Sequence, residues 1–145
     1  MLFRSDGPEL EKARSRIATS ALADKVKFPG SIDHKQTMKE LKSSDIFLFC
    51  HKTLESPRNL IEALQCGLPL VGYGTKYSQS LIEENGGGAL THSQDVTLLS
   101  NLLNALNSDP VRINDLSQKA VADGARFTDE GVFKHRSNLM KTIPK

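Results

Sequence analysis

The sequence predicts an α/β domain, a parallel sheet with helices on both faces and a helical tail at the C-terminus. Three observations predict it. Strand-like and helix-like segments alternate with short turns between them. Residues 46–50 are apolar without interruption, the pattern of a strand covered on both faces. From Gln94 onward the apolar residues recur only at helical spacing.

In chain order, residues 1–4 form a short apolar start, cut by Ser5-Asp6-Gly7-Pro8. Over residues 9–23, Leu10, Ala13, Ile17 and Ala21 repeat as one helix face. Residues 26–28 make a short strand stopped by Pro29-Gly30, and residues 34–41 a second helix. After the buried strand at 46–50, Ser56 is a suitable N-cap and Pro57 suits the first helical position. Leu60, Ile61, Ala63 and Leu64 give that helix its apolar side, and Gly67 ends it. Pro69 opens the next strand, residues 70–73. A short helix over 77–84, a turn at Gly86-Gly87-Gly88 and a last strand at 89–91 follow. Leu98, Leu99, Leu102, Leu103 and Leu106 mark an amphipathic helix, Asp109-Pro110 starts another, and Thr128 caps a third reaching residue 140.

A length of 145 residues suits one domain with a core of its own. The net charge of +2 is too small to point to nucleic acid. Lys35, Lys39 and Lys42 are answered by Asp33, Glu40 and Asp45, as on a solvated helix face. No segment is long and apolar enough to cross a bilayer, and the charges within residues 1–20 do not fit a signal peptide. The two cysteines, Cys50 and Cys66, read as small buried hydrophobes, so a cytoplasmic setting is expected.

In open parallel sheets ligands sit beyond the carboxyl ends of the strands. That rule selects the loops after residues 4, 28, 50 and 73. The loop at 50–57 leads into a helix whose free N–H groups favour an anion, phosphate above all. Glu55 in the loop and Glu62 on the helix offer acceptors for sugar hydroxyls. The chemistry read from these residues is a polar ligand carrying phosphate, although loop glutamates are commonly only solvated. His34, His51, His92 and His135 form no pair at metal-ligand spacing, so no metal is expected. A phosphate-binding Gly-x-x-x-x-Gly-Lys loop is absent, and Gly72-Tyr73-Gly74 lacks the third glycine of a dinucleotide fingerprint.

The run Leu60-Ile61-Glu62-Ala63-Leu64-Gln65-Cys66-Gly67-Leu68-Pro69-Leu70-Val71 resembles the signature of the GT-B glycosyltransferases of family 4, also called group 1. Asp6-Gly7-Pro8-Glu9 is similar to that family's Gly-Pro-Glu turn. Val26-Lys27-Phe28-Pro29-Gly30 and Ser44-Asp45-Ile46-Phe47-Leu48 are similar to two of its strands. The resemblance covers about residues 2–125 and implies a Rossmann-like domain, the C-terminal donor-binding half of a GT-B fold. It implies that Glu62 holds the ribose hydroxyls of a nucleotide-diphosphate sugar and that Glu55 is the catalytic acid near the transferred sugar. Ser56, Pro57, Arg58, Asn59 and Leu60 would line the sugar and diphosphate. Gly30, Ser31 and Ile32 would border the base, and Gly7 would belong to the donor site. The reaction implied is retaining transfer of a hexose to a glycan or lipid acceptor. The donor is a substrate and no cofactor is implied. The absence of an Asp-x-Asp pair argues against a metal-chelating transferase.

Two departures qualify these expectations. Six residues separate Glu55 from Glu62, where the family places seven, and Ser56-Pro57-Arg58 replaces the glycines often found there. The family's first βα unit, with its diphosphate-holding arginine and lysine, and its acceptor domain have no counterpart in the sequence. The expectation is a single donor-binding domain over 1–145 that is inactive alone and reaches its acceptor through a separate N-terminal domain. Its expected location is the cytoplasm, peripheral to the inner face of the membrane. Losing a central strand leaves backbone groups in need of a partner, which predicts a homo-oligomer or marginal stability. The competing readings are a nucleotide-sugar epimerase on the same fold and a non-catalytic nucleotide-binding module.

Overall fold

The computed structural model describes residues 7–52, 57–128 and 130. The chain divides into two compact units, Met1–Thr37 and Met38–Lys145. The strand expected at residues 1–4 and almost all of the helix expected after Thr128 lie outside the described residues.

In the first unit, α1 spans Leu10–Ala18 and buries none of its residues fully. It stops five residues short of the expected end. The Thr19 hydroxyl donates to the carbonyls of Ser15 and Arg16, and that of Ser20 to Ile17 O at 2.8 Å. These side chains take the acceptors of the last turn, and the chain leaves the helix for a turn over 21–25. The expected strand at 26–28 is reduced to one bridge residue, Lys27. An apolar groove of about 420 Å³ lies between Ala13 and Ile17 of α1 and Leu22, Val26 and Phe28. Helix α2, His34–Lys42, begins in this unit and ends in the second, and it starts where the Asp33 carboxylate accepts from the Gln36 N–H at 2.7 Å.

The second unit is built on a three-stranded parallel sheet in the order β1 (Phe47–Phe49), β2 (Leu70–Tyr73) and β3 (Gly88–Thr91). Phe47 is level with Leu70, and Leu70 with Gly88. Four further helices complete the unit: α3 (Arg58–Gln65), α4 (Lys76–Leu81), α5 (Val96–Asn107) and α6 (Pro110–Ala125). Strand alternation sends side chains to opposite faces. Phe49 and Leu70 join Leu60, Ala63, Leu64 and Leu81 in one core, with Phe47 and Leu90 against it. Val71, Tyr73 and Ala89 join Leu99, Leu106 and Leu116 in the other, flanked by Ile46 and Leu48. Both faces are therefore covered by helices, which is why β2 is apolar throughout and all four of its residues are buried.

Local chemistry sets the helix ends. Expected to begin with Ser56 as its cap, α3 instead has Pro57 at the N-cap, with φ −69° and ψ 124°. A proline fixes φ near this value, and the residue before a helix is extended, so Pro57 fits one position earlier than expected. At the other end Gly67 takes φ 75°. The Gly67 N–H donates to Leu64 O and the Leu68 N–H to Ala63 O, both at 2.9 Å, the paired bonds of a Schellman ending. Thr75 caps α4 through a reciprocal pair of bonds with Ser78, so this helix starts at Lys76 and is over by Leu81. Asp95 and Asp109 accept from the first turns of α5 and α6, and Pro110 opens α6 as expected.

Candidate functional site

Parallel β1 and β2 joined by α3 place the N-terminus of α3 at the carboxyl end of the sheet. The segments that leave that end are the stretch after Phe49, Gly74-Thr75 after β2, and the turn after Thr91. Gln94 Nε2 donates to Lys52 O at 3.2 Å and ties the first of these to the third. Gly72 lets β2 approach β1 closely, because a Cβ there would strike the Phe49 carbonyl and ring. The Gly74 N–H donates to Thr91 O at 2.9 Å. The glycines of Gly72-Tyr73-Gly74 are thus occupied by neighbouring strands.

Glu62 stands in the middle of α3, half-buried, while Leu60, Ala63 and Leu64 of the same helix point into the core. Its carboxylate acts on Cys66 one turn further on. Burial pushes the Cys66 thiol up, the Lys42 ammonium opposes that, and the Glu62 charge adds to it. A carboxylate, an ammonium and a thiol therefore share one neighbourhood on the side of α3. Cys50 at the end of β1 is exposed, yet the surrounding protein desolvates its thiol and raises its pKa, against the pull of Lys52. Next to it the His51 ring lies 5.7 Å from that of Phe49. His51 Nδ1 is buried and has no hydrogen-bond partner among the described residues.

The expected site residues fall into three sets. Glu55 and Ser56 lie outside the described residues. Pro57, Arg58, Asn59, Leu60 and Glu62 share α3 and its cap. Arg58 and Asn59 are exposed in the first turn, whereas Leu60 buries its side chain in the core and gives its N–H to Pro57 O at 3.2 Å, so the expectation that it lines the donor is not carried by its side chain. Among the described residues no side chain caps this helix, and Pro57 O takes the Leu60 N–H, which leaves the N–H groups of Arg58 and Asn59 as those suited to an anion. Gly7, Gly30, Ser31 and Ile32 belong to the first unit. There Gly30 adopts φ 72° with open space where a side chain would stand. No group of three or more His, Cys, Asp or Glu at metal-binding spacing occurs among the described residues.

Sequence reasoning missed His51 and Asp123. Asp123 has no solvent exposure. Its carboxylate accepts from Gly87 N–H at 2.8 Å, Asn85 Nδ2 at 3.0 Å and Asn85 N–H at 3.2 Å. Asp123 continues the spacing of Ile113, Leu116 and Ala120 along the buried side of α6, and only its charge argued against burial. For His51 the available signal was its place directly after the buried strand.

Comparison with known proteins agrees with this geometry. The model of the family described as glycosyl transferases group 1 matches residues 6–123. Alpha-monoglucosyldiacylglycerol synthase of Streptococcus pneumoniae is 27% identical over 120 residues, 82% of this chain and 27% of that protein. The 2-deoxystreptamine N-acetyl-D-glucosaminyltransferase of Streptomyces fradiae is 25% identical over 118 residues, 81% of this chain and 28% of that protein. The chain thus spans little more than a quarter of these curated relatives. Among solved structures, Anabaena HepE in complex with UDP superposes with TM-score 0.77 at 22% identity, over 98% of this chain and 40% of that one. Sucrose-phosphate synthase from Thermosynechococcus elongatus superposes with TM-score 0.78 at 22% identity, over 97% of this chain and 37% of that one.

Proposed function

The chain belongs to the group 1 glycosyl transferases, and we propose that it holds the nucleotide-diphosphate sugar while a sugar is transferred to a glycan or lipid acceptor. The observation that carries this reading is Glu62 on α3, in the family's signature run and one turn behind a helix start that no side chain caps among the described residues. Its carboxylate accepts hydrogen bonds from vicinal hydroxyls, as a ribose presents them. The N–H groups of Arg58 and Asn59, which no side chain takes among the described residues, suit a diphosphate, with the Arg58 guanidinium as a charged neighbour.

Support for the donor comes from HepE, whose structure is a complex with UDP, and support for a lipid acceptor from the name of the pneumococcal relative. Retention of configuration, a hexose as the transferred sugar, Glu55 as the catalytic acid and Gly7, Gly30, Ser31 and Ile32 at the donor belong to the same proposal. So does peripheral attachment to a membrane. No helix among the described residues is long and apolar enough to cross one.

The test is calorimetric titration of the chain with UDP, GDP and ADP, repeated with Glu62→Ala. One nucleotide binding selectively, and at least about tenfold more weakly to the variant, is the expected result. Equal affinity in the variant removes Glu62 from the site. A second reading, a nucleotide-binding domain without catalysis of its own, is favoured by the six-residue spacing between Glu55 and Glu62. Turnover by the isolated chain rules it out.

A further inference from the structure

Phe49 ends β1 with its side chain in the core that α3 covers, together with Leu60 from the first turn of that helix. The His51 ring continues on the same side of the chain, two residues on, and lies against the Phe49 ring with 35° between their planes. His51 therefore stands just past the core, on the side where α3 starts. The bond from Gln94 Nε2 to Lys52 O holds the backbone directly after the ring. The two ring nitrogens differ in their surroundings. Nδ1 is buried and has no hydrogen-bond partner among the described residues, whereas Nε2 reaches the surface of this half-buried side chain. A buried N–H without an acceptor is rarer in folded chains than a buried acceptor left bare. In the neutral ring the proton therefore belongs on Nε2, which faces outward as an N–H group ready for a ligand. The described residues on either side, 50–52 and 57–59, include Lys52 and Arg58 and no carboxylate.

We propose that His51 binds the diphosphate of the sugar donor through its Nε2–H, beside the N–H groups of Arg58 and Asn59. This rests on the reading of the carboxyl end of the sheet as a nucleotide-diphosphate site, and adds to it a side chain from β1. The three N–H groups come from two elements, the end of the strand and the start of the helix, and converge on one space. Lys52 and Arg58 supply the charge that draws an anion there, while the imidazole supplies direction. The contact with Phe49 limits the ring's freedom before the ligand arrives, so little side-chain entropy is lost on binding.

Calorimetric titration of the full chain with UDP, GDP and ADP tests it, with circular dichroism to show that each variant folds. His51→Phe keeps a ring against Phe49 and removes the N–H. It should weaken the nucleotide that binds by about tenfold or more. His51→Gln, whose amide reaches about as far as Nε2, should recover part of that loss. The corresponding nucleoside carries no phosphate, so its affinity should be the same with His, Phe or Gln at position 51. A nucleoside weakened as much as its diphosphate overturns the proposal, because the ring would then only shape the pocket. So does a glutamine no better than phenylalanine. The free chain has its own readout. Heteronuclear NMR of the histidine nitrogens should find the neutral His51 ring protonated at Nε2, with that resonance moving on addition of inorganic pyrophosphate. A proton on Nδ1, or no response to pyrophosphate, overturns it. Affinity lost in Glu62→Ala and unchanged in His51→Phe overturns this proposal and leaves the sugar-donor reading standing. Failure of all three nucleotides to bind overturns both.

Discussion

At Asp123 a carboxylate without solvent exposure accepts three hydrogen bonds from the segment just ahead of β3. Replacing it by alanine leaves the Gly87 N–H and both Asn85 donors without their acceptor. We expect Asp123→Ala to lower stability by about 3 kcal/mol in urea unfolding, whereas Asp115→Ala, which breaks an exposed pair with Lys119, should cost well under 1 kcal/mol. Arg126, the next charged residue, ties the same corner from outside. Its guanidinium meets Glu84 at 2.7 Å and donates to Leu81 O at 2.7 Å. A second prediction concerns the Cys66 thiol. Thiolate is the form that alkylates, and a nearby negative charge disfavours it. Glu62→Gln should lower the thiol pKa and speed alkylation by iodoacetamide at a given pH below it. Lys42→Gln should do the opposite. A pH–rate profile that stays in place in both variants separates Glu62 from Cys66.

Among the elements, those with one dominant cause were legible in the sequence. Pro69 and an unbroken apolar run define β2, and Leu70–Tyr73 is the strand expected. Gly67 ends α3 because only a positive φ closes the Schellman pair there. Gly67→Ala should cost roughly 1 kcal/mol or more through backbone strain. It would also bring a methyl within 3.0 Å of the Val121 side chain. Thermal unfolding checks this, with Arg58→Ala, exposed on the same helix, as the comparison. Elements shaped by competing local bonds were not legible. The Thr19 and Ser20 hydroxyls shorten α1, and Thr75 with Ser78 moves α4 one residue earlier. The candidate site divides the same way. The place of Glu62 on α3 was legible because Ala63, Cys66 and Gly67 fix it in a dense pattern. The burial of His51 was not, because its place after the buried strand is the one trace it leaves in residue order and the packing around its Nδ1 leaves none.

For the whole molecule, the two compact units differ in how much they bury. Helix α1 has no fully buried residue, whereas every residue of β2 is buried between two cores. Local opening is cheapest where few apolar contacts are lost. Amide exchange in α1 should therefore run at least about tenfold faster than in β2. Equal protection would mean that α1 opens only with the sheet. The order in which the contacts become available has a further effect. The bonds from Asp123 to Gly87 and Asn85 span 36 and 38 residues of chain. On a ribosome adding about 5–20 residues each second, the turn ahead of β3 emerges roughly 2–7 s before its acceptor does. During that interval water holds those donors. The second unit therefore cannot lock this corner strand by strand as it is synthesised, and finishes it only after the last of its described helices has left the exit tunnel.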